Sequence, residues 1–99
     1  MRVEYHPALE QELRDIVDYY NQCSQGLGHE FLNEFEKEIL SIAAMPKRWR
    51  VIDEDSEIRR ALIKRFPYLI YYRVLGDERV RVTVVKHQRR HPAYGLERK

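Results

Sequence analysis

Cysteine is almost missing from this 99-residue sequence, because Cys23 is the only one. A single cysteine cannot form a disulfide within the chain. The histidines and the cysteine also lack the spacing of a structural zinc site. We therefore expect a fold that depends on its hydrophobic core, with no disulfide, no metal and no cofactor.

Long apolar segments are missing as well. The longest apolar runs fall far short of the roughly 20 residues that a membrane span needs. The first residues, MRVEYHPALEQEL, are rich in glutamate and lack the apolar region of an export signal. These absences predict a cytoplasmic protein without membrane contact, and the length predicts one domain over residues 1–99.

Acidic residues are scarce in the second part of the chain. Residues 58–99 carry 12 Lys and Arg but only 3 Asp and Glu, a net charge of +9. Residues 1–57 carry 6 Lys and Arg and 13 Asp and Glu, a net charge of −7. This split predicts a bipolar molecule with one face suited to an anionic partner. The alternative is that the two halves neutralise each other across the fold.

Hydrophobic periodicity predicts a short strand and two helices in the acidic half. Residues 1–6 alternate as in a strand, and Pro7 suits the start of a helix. The first helical stripe consists of Leu9, Leu13, Ile16, Val17 and Tyr20. The loop SQGLG, residues 24–28, ends that helix. The second stripe consists of Phe31, Leu32, Phe35, Ile39, Ile42 and Ala43. A short loop between two helices predicts an antiparallel hairpin.

The basic half is rich in β-branched and aromatic residues. Residues 57–64, 67–74 and 79–87 are typical of three antiparallel strands, and Gly76-Asp77 predicts a tight hairpin between the last two. The predicted fold class is therefore α+β: an N-terminal strand, a helical hairpin and a three-stranded antiparallel sheet. We expect a polar connection at residues 47–56 and an irregular basic tail after the last strand.

One sheet face must cover the helices, which leaves the other to water or a partner. In the last strand, we expect the helix-facing side to consist of Val80, Val82 and Val84. Arg79 and Arg81 then point outward.

The strand at residues 57–64 leaves two arrangements open. Either Ile58 and Leu62 face the helices with Arg60, or Ala61 and Ile63 face them with Arg59.

Several motifs in this order resemble the RelE/ParE superfamily of bacterial toxins. They are YHPALEQELRDIVDYY, SQGLGHEFLNEF, the P-x-x-W of Pro46 to Trp49, IRRALIKRFPYLIYYRV and VVKHQRRHPAYGLER. The resemblance implies a helical hairpin on a small antiparallel sheet. It also implies the toxin of a type II toxin–antitoxin system, which a cognate antitoxin binds and silences.

The superfamily has two well-known activities, which the resemblance lets us compare residue by residue. RelE-like members cleave mRNA on the ribosome without a metal, whereas ParE-like members inhibit DNA gyrase. The arginine that the nucleases usually carry before the apolar run of the middle strand is missing, because Tyr68 or Leu69 stands there. A leucine offers no charge to a transition state. The stretch FPYLIYY also looks more like ParE-type members.

The resemblance therefore favours a ParE-like inhibitor that acts by binding, with a RelE-like ribosome-dependent mRNA endonuclease as the alternative. A third reading is an interaction module without toxicity. If the chain is a nuclease, its candidate catalytic residues are Arg60, Arg81, His87 and Tyr94.

The candidate binding residues are cations. They are Arg59, Arg60, Lys64, Arg65, Arg79, Arg81, Lys86, Arg89 and Arg90. The expected partners are an acidic antitoxin that folds on binding and a target, either DNA gyrase or the ribosome with its mRNA. A toxin–antitoxin hetero-oligomer is the expected assembly.

Overall fold

Two helices and five strands make up the computed structural model, which describes residues 1–99. The elements are β1 (Arg2–Tyr5), α1 (Leu9–Cys23), α2 (Leu27–Ala44), β2 (Val51–Asp53), β3 (Ile58–Leu62), β4 (Tyr68–Leu75) and β5 (Arg79–His87). The strand order in the single sheet is β1-β5-β4-β3-β2, with β1 parallel to β5 and all other pairs antiparallel. The predicted α+β class is therefore confirmed.

The helical hairpin forms where the periodicity predicts it. A left-handed backbone at Gly26, with φ of 84°, reverses the chain between α1 and α2. The apolar stripes of both helices pack on one sheet face, where Phe31, Ile42, Ile70 and Tyr72 are almost completely buried. Neither helix is both long and apolar enough to cross a membrane.

The polar connection that we expected at residues 47–56 contains a strand. Residues 51–53 form β2, which pairs with Ile58 and Arg59 at the edge of the sheet. The strand has only three residues, and the register shifts between Val51 and Asp53. Such a short and irregular strand leaves no alternating pattern for sequence reasoning to detect.

The sheet faces are correctly predicted at the start of β5 but not beyond its middle. Tyr71 pairs with Val84 and Tyr72 with Val82, so Thr83 is the extra residue of a β-bulge. Because a bulge reverses the alternation, Val84 lies on the face opposite the helices and Val85 takes its place in the main core. The expected inward orientation of Val84 is therefore wrong.

The open question for β3 has a definite answer. Ala61 and Ile63 belong to the core beneath the helices, whereas Ile58 belongs to a second cluster on the opposite face. That second cluster consists of Ile58, Leu69, Tyr71 and Val84, with Tyr94 and Leu96 packed against it. The opposite face of the sheet is therefore partly covered and not freely exposed.

Candidate functional site

The last twelve residues cover much of the sheet face opposite the helices. We call residues 88–99 the C-terminal strap. Tyr71 donates a hydrogen bond from its hydroxyl to the carbonyl oxygen of Pro92, at 2.9 Å. Gly95, with φ of 84°, lies so close to Val84 that a Cβ atom there would meet Val84 Cγ2 at 2.3 Å. The tail is irregular as expected, since it contains turns but no helix or strand, and it is packed onto the sheet.

Lys86 is enclosed beneath this strap. Its ammonium group donates to the carbonyl oxygens of His91, Pro92 and Tyr94, at 2.9, 3.2 and 3.0 Å. It also lies 4.1 Å from the ring centroid of Tyr71, and the residue is only 3% exposed. Burial lowers the pKa of Lys86 to about 8, and the nearby charges of Arg90 and Arg60 act in the same direction. Lys86 thus anchors the strap and is not available to a partner.

Three arginines complete the attachment of the strap. Arg73 donates to the carbonyl oxygens of Leu96 and Arg98, at 3.2 and 2.8 Å. Arg81 donates through Nε to the carbonyl oxygen of Lys99. Arg98 forms two hydrogen bonds of 2.8 Å with the carboxylate of Glu12 on α1, and this pairing raises the pKa of Arg98. A bidentate ion pair of this kind fixes the relative orientation of the two side chains and is stronger than a single hydrogen bond.

Four other candidate binding residues also have partners within the chain. Arg79 lies 2.9 Å from Glu4 on β1, and Arg81 lies 3.7 Å from the same carboxylate. Arg59 faces the helices and donates to the carbonyl oxygen of Trp49. Arg65 pairs with Glu30 of α2 at 2.8 Å. The alternative of neutralisation across the fold therefore holds in part, because acidic residues of the first half pair with Arg65, Arg79 and Arg81.

The remaining candidate cations have no carboxylate partner. Arg60, Lys64, Arg89 and Arg90 are exposed and form no ion pair. Arg90 stacks on the ring of Tyr94, with its guanidinium carbon 4.4 Å from the ring centroid. These four side chains retain the charge that an anionic partner can meet.

The four candidate catalytic residues do not share one site. His87 and Tyr94 line a cavity of about 170 Å³, together with Arg90 and the two carboxylates Glu12 and Asp15. Arg60 and Arg81 do not line it.

The surroundings of His87 and Tyr94 also limit what they can do chemically. His87 packs edge-on against Tyr68, with ring centroids 5.3 Å apart, and its Nδ1 accepts the backbone N–H of Arg89. The hydroxyl of Tyr94 lies 3.3 Å from both Glu12 Oε2 and Arg98 Nη2. Of the two positions that the resemblance aligns with the nucleases' arginine, Leu69 is buried in the second cluster and Tyr68 packs against the core beneath the helices.

The largest cavity lies elsewhere, at the edge of the sheet where β2 meets β3. It has a volume of about 770 Å³ and is open to solvent. Its lining includes the cations Arg50, Arg60 and Lys64 and the apolar side chains of Trp49, Ile52 and Leu62. We call this cavity the edge notch. Sequence reasoning singled out Arg60 and Lys64, but it missed Arg50, Ile52 and Leu62.

These three residues had no sequence signal of their own. Arg50 and Ile52 belong to the connection whose strand was not recognised, and Leu62 was one of two alternatives for an inward residue.

The structure contains no evident metal site, because no group of three or more His, Cys, Asp or Glu side chains is arranged to hold an ion.

Comparison with known protein families gives a match over most of the chain. Residues 3–92 match the family described as the ParE toxin of the type II toxin–antitoxin system, parDE. No curated protein matches the chain significantly. The matched segment includes both helices and all but the first residue of the sheet, and it ends inside the C-terminal strap.

Proposed function

Because the chain belongs to the ParE toxin family of type II toxin–antitoxin systems, we propose that it arrests growth by binding and inhibiting DNA gyrase. The family match over residues 3–92 is the observation that carries this proposal. Membership implies a cognate antitoxin as partner, and we propose that this antitoxin neutralises the chain by binding it. The proposed mechanism uses contact alone and no chemical step.

The arrangement of the candidate catalytic residues supports a mechanism without catalysis. Metal-independent RNA cleavage needs cations and a proton donor or acceptor converging on one phosphate. Arg81 is held by Glu4 and the strap, while Arg60 lies apart from the cavity that His87 and Tyr94 share. The carboxylate of Asp15, which lines that cavity and forms no ion pair, also disfavours an entering phosphate. Binding a protein target has no such geometric requirement.

A RelE-like endonuclease is the second candidate, and the same cavity is the observation that favours it. His87, Arg90 and Tyr94 line it together, so a general acid or base, a cation and a phenol do lie near one another. Replacing His87 with Ala separates the two mechanisms. A nuclease that uses this imidazole for proton transfer loses at least about 100-fold in cleavage rate.

The decisive experiment measures two activities of the purified chain. One assay follows supercoiling and DNA cleavage by gyrase, and the other follows mRNA cleavage on translating ribosomes. We expect gyrase inhibition that His87→Ala leaves intact, with mRNA unbroken. Cleaved mRNA and unaffected gyrase would establish the alternative.

Expression in cells separates both candidates from the third reading. Induction without an antitoxin is expected to arrest growth, and co-expression of the antitoxin encoded beside the chain is expected to restore it. Unimpaired growth on induction would identify an interaction module without toxicity.

A further inference from the structure

The edge notch carries positive charge that the fold does not use. Arg50, Arg60 and Lys64 line it, and none of them forms an ion pair. The only acidic residue in its lining is Glu38, which is 9% exposed. Burial raises the pKa of Glu38 and so disfavours its ionised form. The charges of Lys64 and Arg48 act in the opposite direction. The notch therefore presents three available cations against one partly desolvated carboxylate.

The notch also has an unpaired strand edge. Ile63 donates its backbone N–H to the carbonyl oxygen of Tyr68, so odd-numbered residues of this segment face β4. Successive residues of an antiparallel strand direct their backbone groups to opposite sides. Leu62 consequently directs its N–H and C=O away from β4. Pairing with β2 extends along β3 only to Arg59, so no strand lies beside Leu62.

Apolar surface adjoins this free edge. Leu62 is 52% exposed and Ile52 is 40% exposed, and Trp49 is half-buried beside them. Arg60 and Leu62 lie on the same face of β3, whereas Trp49 packs against the core on the other face. A segment that alternates acidic and apolar side chains can therefore direct its carboxylates to the face of Arg60 and its apolar side chains to the face of Trp49.

Two other occupants fit the notch less well. A second copy of the chain would bring the same cations against Arg60 and Lys64, and lysine on an edge strand discourages such self-pairing. A nucleic acid would meet the cations but would gain nothing from Leu62, Ile52 or the backbone of the free edge. An acidic polypeptide uses all three features.

We propose that the edge notch binds a short acidic segment of the antitoxin in an extended conformation. This segment lies alongside β3 where β2 ends, pairs with the backbone of Leu62 and directs carboxylates to Arg50, Arg60 and Lys64. The inference rests on the proposed function, since it identifies where the neutralising partner binds. The sequence predicted that an anionic partner binds a face of the sheet, whereas this proposal places the partner at the edge of the sheet.

A synthetic peptide tests the chemistry of the notch without knowledge of the antitoxin sequence. The probe is an end-capped peptide of about ten residues that alternates glutamate and valine, long enough to span the edge. NMR titration of the full chain is expected to give a Kd below about 1 mM, with the largest shifts at Leu62 and its neighbours. A peptide of the same composition with all glutamates before the valines should bind at least about tenfold more weakly.

Paired substitutions locate the binding. Arg60→Glu and Leu62→Glu are expected to weaken binding of the alternating peptide by about tenfold or more. The matched controls Arg2→Glu, on β1 at the other edge of the sheet, and Leu40→Glu change the same residue types outside the notch and should leave the Kd within about twofold. Leu62→Pro removes the outward N–H and should weaken binding more than Leu62→Ala does.

Three results would overturn the proposal: no binding at about 1 mM peptide, equal effects of notch and control substitutions, or a DNA duplex that displaces the peptide from the same residues. The gyrase assay on the unmodified chain keeps the two proposals apart. Gyrase inhibition without peptide binding would reject the notch alone. Peptide binding at the notch without gyrase inhibition would reject the proposed target alone.

Discussion

The cations of the C-terminal strap and those of the edge notch come from the same basic half of the chain but have opposite surroundings. Lys86 and Arg73 reach five backbone carbonyl oxygens of the strap between them. Arg60 and Lys64 reach no acceptor within the chain and remain exposed. The first pair stabilises the fold, and the second retains its charge for a partner.

This difference shows why a count of positive residues does not locate a binding surface. Arg60 and Lys86 both lie on the sheet face away from the helices, and their charges are close enough that Arg60 helps to lower the pKa of Lys86. What separates them is the strap, which provides carbonyl oxygens to Lys86 and forms no hydrogen bond with Arg60. A cation whose hydrogen bonds are satisfied internally has little to gain from a ligand.

The largest effect is expected from a substitution that lifts the strap. Gly95→Ala places a methyl group against Val84 at a backbone with positive φ. We expect the free energy of unfolding to fall by about 3 kcal/mol, from steric overlap together with the strained backbone. Gly26→Ala is the matched control, because it has the same φ but nothing within 4 Å, and it should cost only about 1 kcal/mol. Equal losses in urea unfolding would show that the contact with Val84 does not matter.

A second pair compares one arginine from each region. Arg73→Met removes the donor to Leu96 and Arg98, and we expect it to destabilise the chain by about 2 kcal/mol. Arg60→Met removes a side chain without internal partners and should change stability by less than about 0.5 kcal/mol. Thermal or urea unfolding measures both. If Arg60→Met were the more damaging, the division into structural and available cations would be wrong.

Lys86, one of the cations bound by the strap, should make the free energy of unfolding depend on pH. Its folded-state pKa of about 8 lies below the unfolded value of about 10.5, so the unfolded chain binds more protons between these values. The free energy of unfolding should therefore rise with pH, by about 1 kcal/mol from pH 8 to pH 9. In the variant Lys86→Met this contribution should disappear. The same slope in both proteins would assign it to other groups.

Among the cations with a partner in the chain, the smallest effect is expected at the exposed pair between Arg79 and Glu4. The hydrogen bond to Arg79 lowers the pKa of Glu4, but both side chains are substantially exposed. Arg79→Ser should cost less than about 1 kcal/mol, and added salt should reduce the loss. A loss as large as that of Arg73→Met, measured in the same buffer, would place Arg79 among the structural cations.

Much of the fold could be predicted from the sequence, because periodicity identifies elements that bury one face. The two stripes beginning at Leu9 and Phe31 and the alternation before Val82 lead directly to the observed helices and strands. The errors lie where alternation fails. Thr83 forms a bulge that places Val84 on the sheet face away from the helices, and β2 is too short to show an alternating pattern.

The candidate site was less predictable, because it depends on contacts that are distant in sequence. Nothing near Lys86 in the sequence indicates that the carbonyl oxygens of residues 91–94 enclose it. Glu4 neutralises Arg79 across 75 positions, and Glu30 neutralises Arg65 across 35. Residue type identifies a cation, but only the fold determines whether it has a partner.

Amide hydrogen exchange of the chain alone tests the division between strap and notch most directly, since both regions appear in one data set. The backbone N–H groups of Tyr94, Leu96 and Arg98 are hydrogen-bonded within the strap, and that of Leu62 faces the open edge. We expect the strap amides to exchange only through global unfolding and the Leu62 amide to exchange rapidly. Rapid exchange throughout residues 93–98, together with protection at Leu62, would contradict the account.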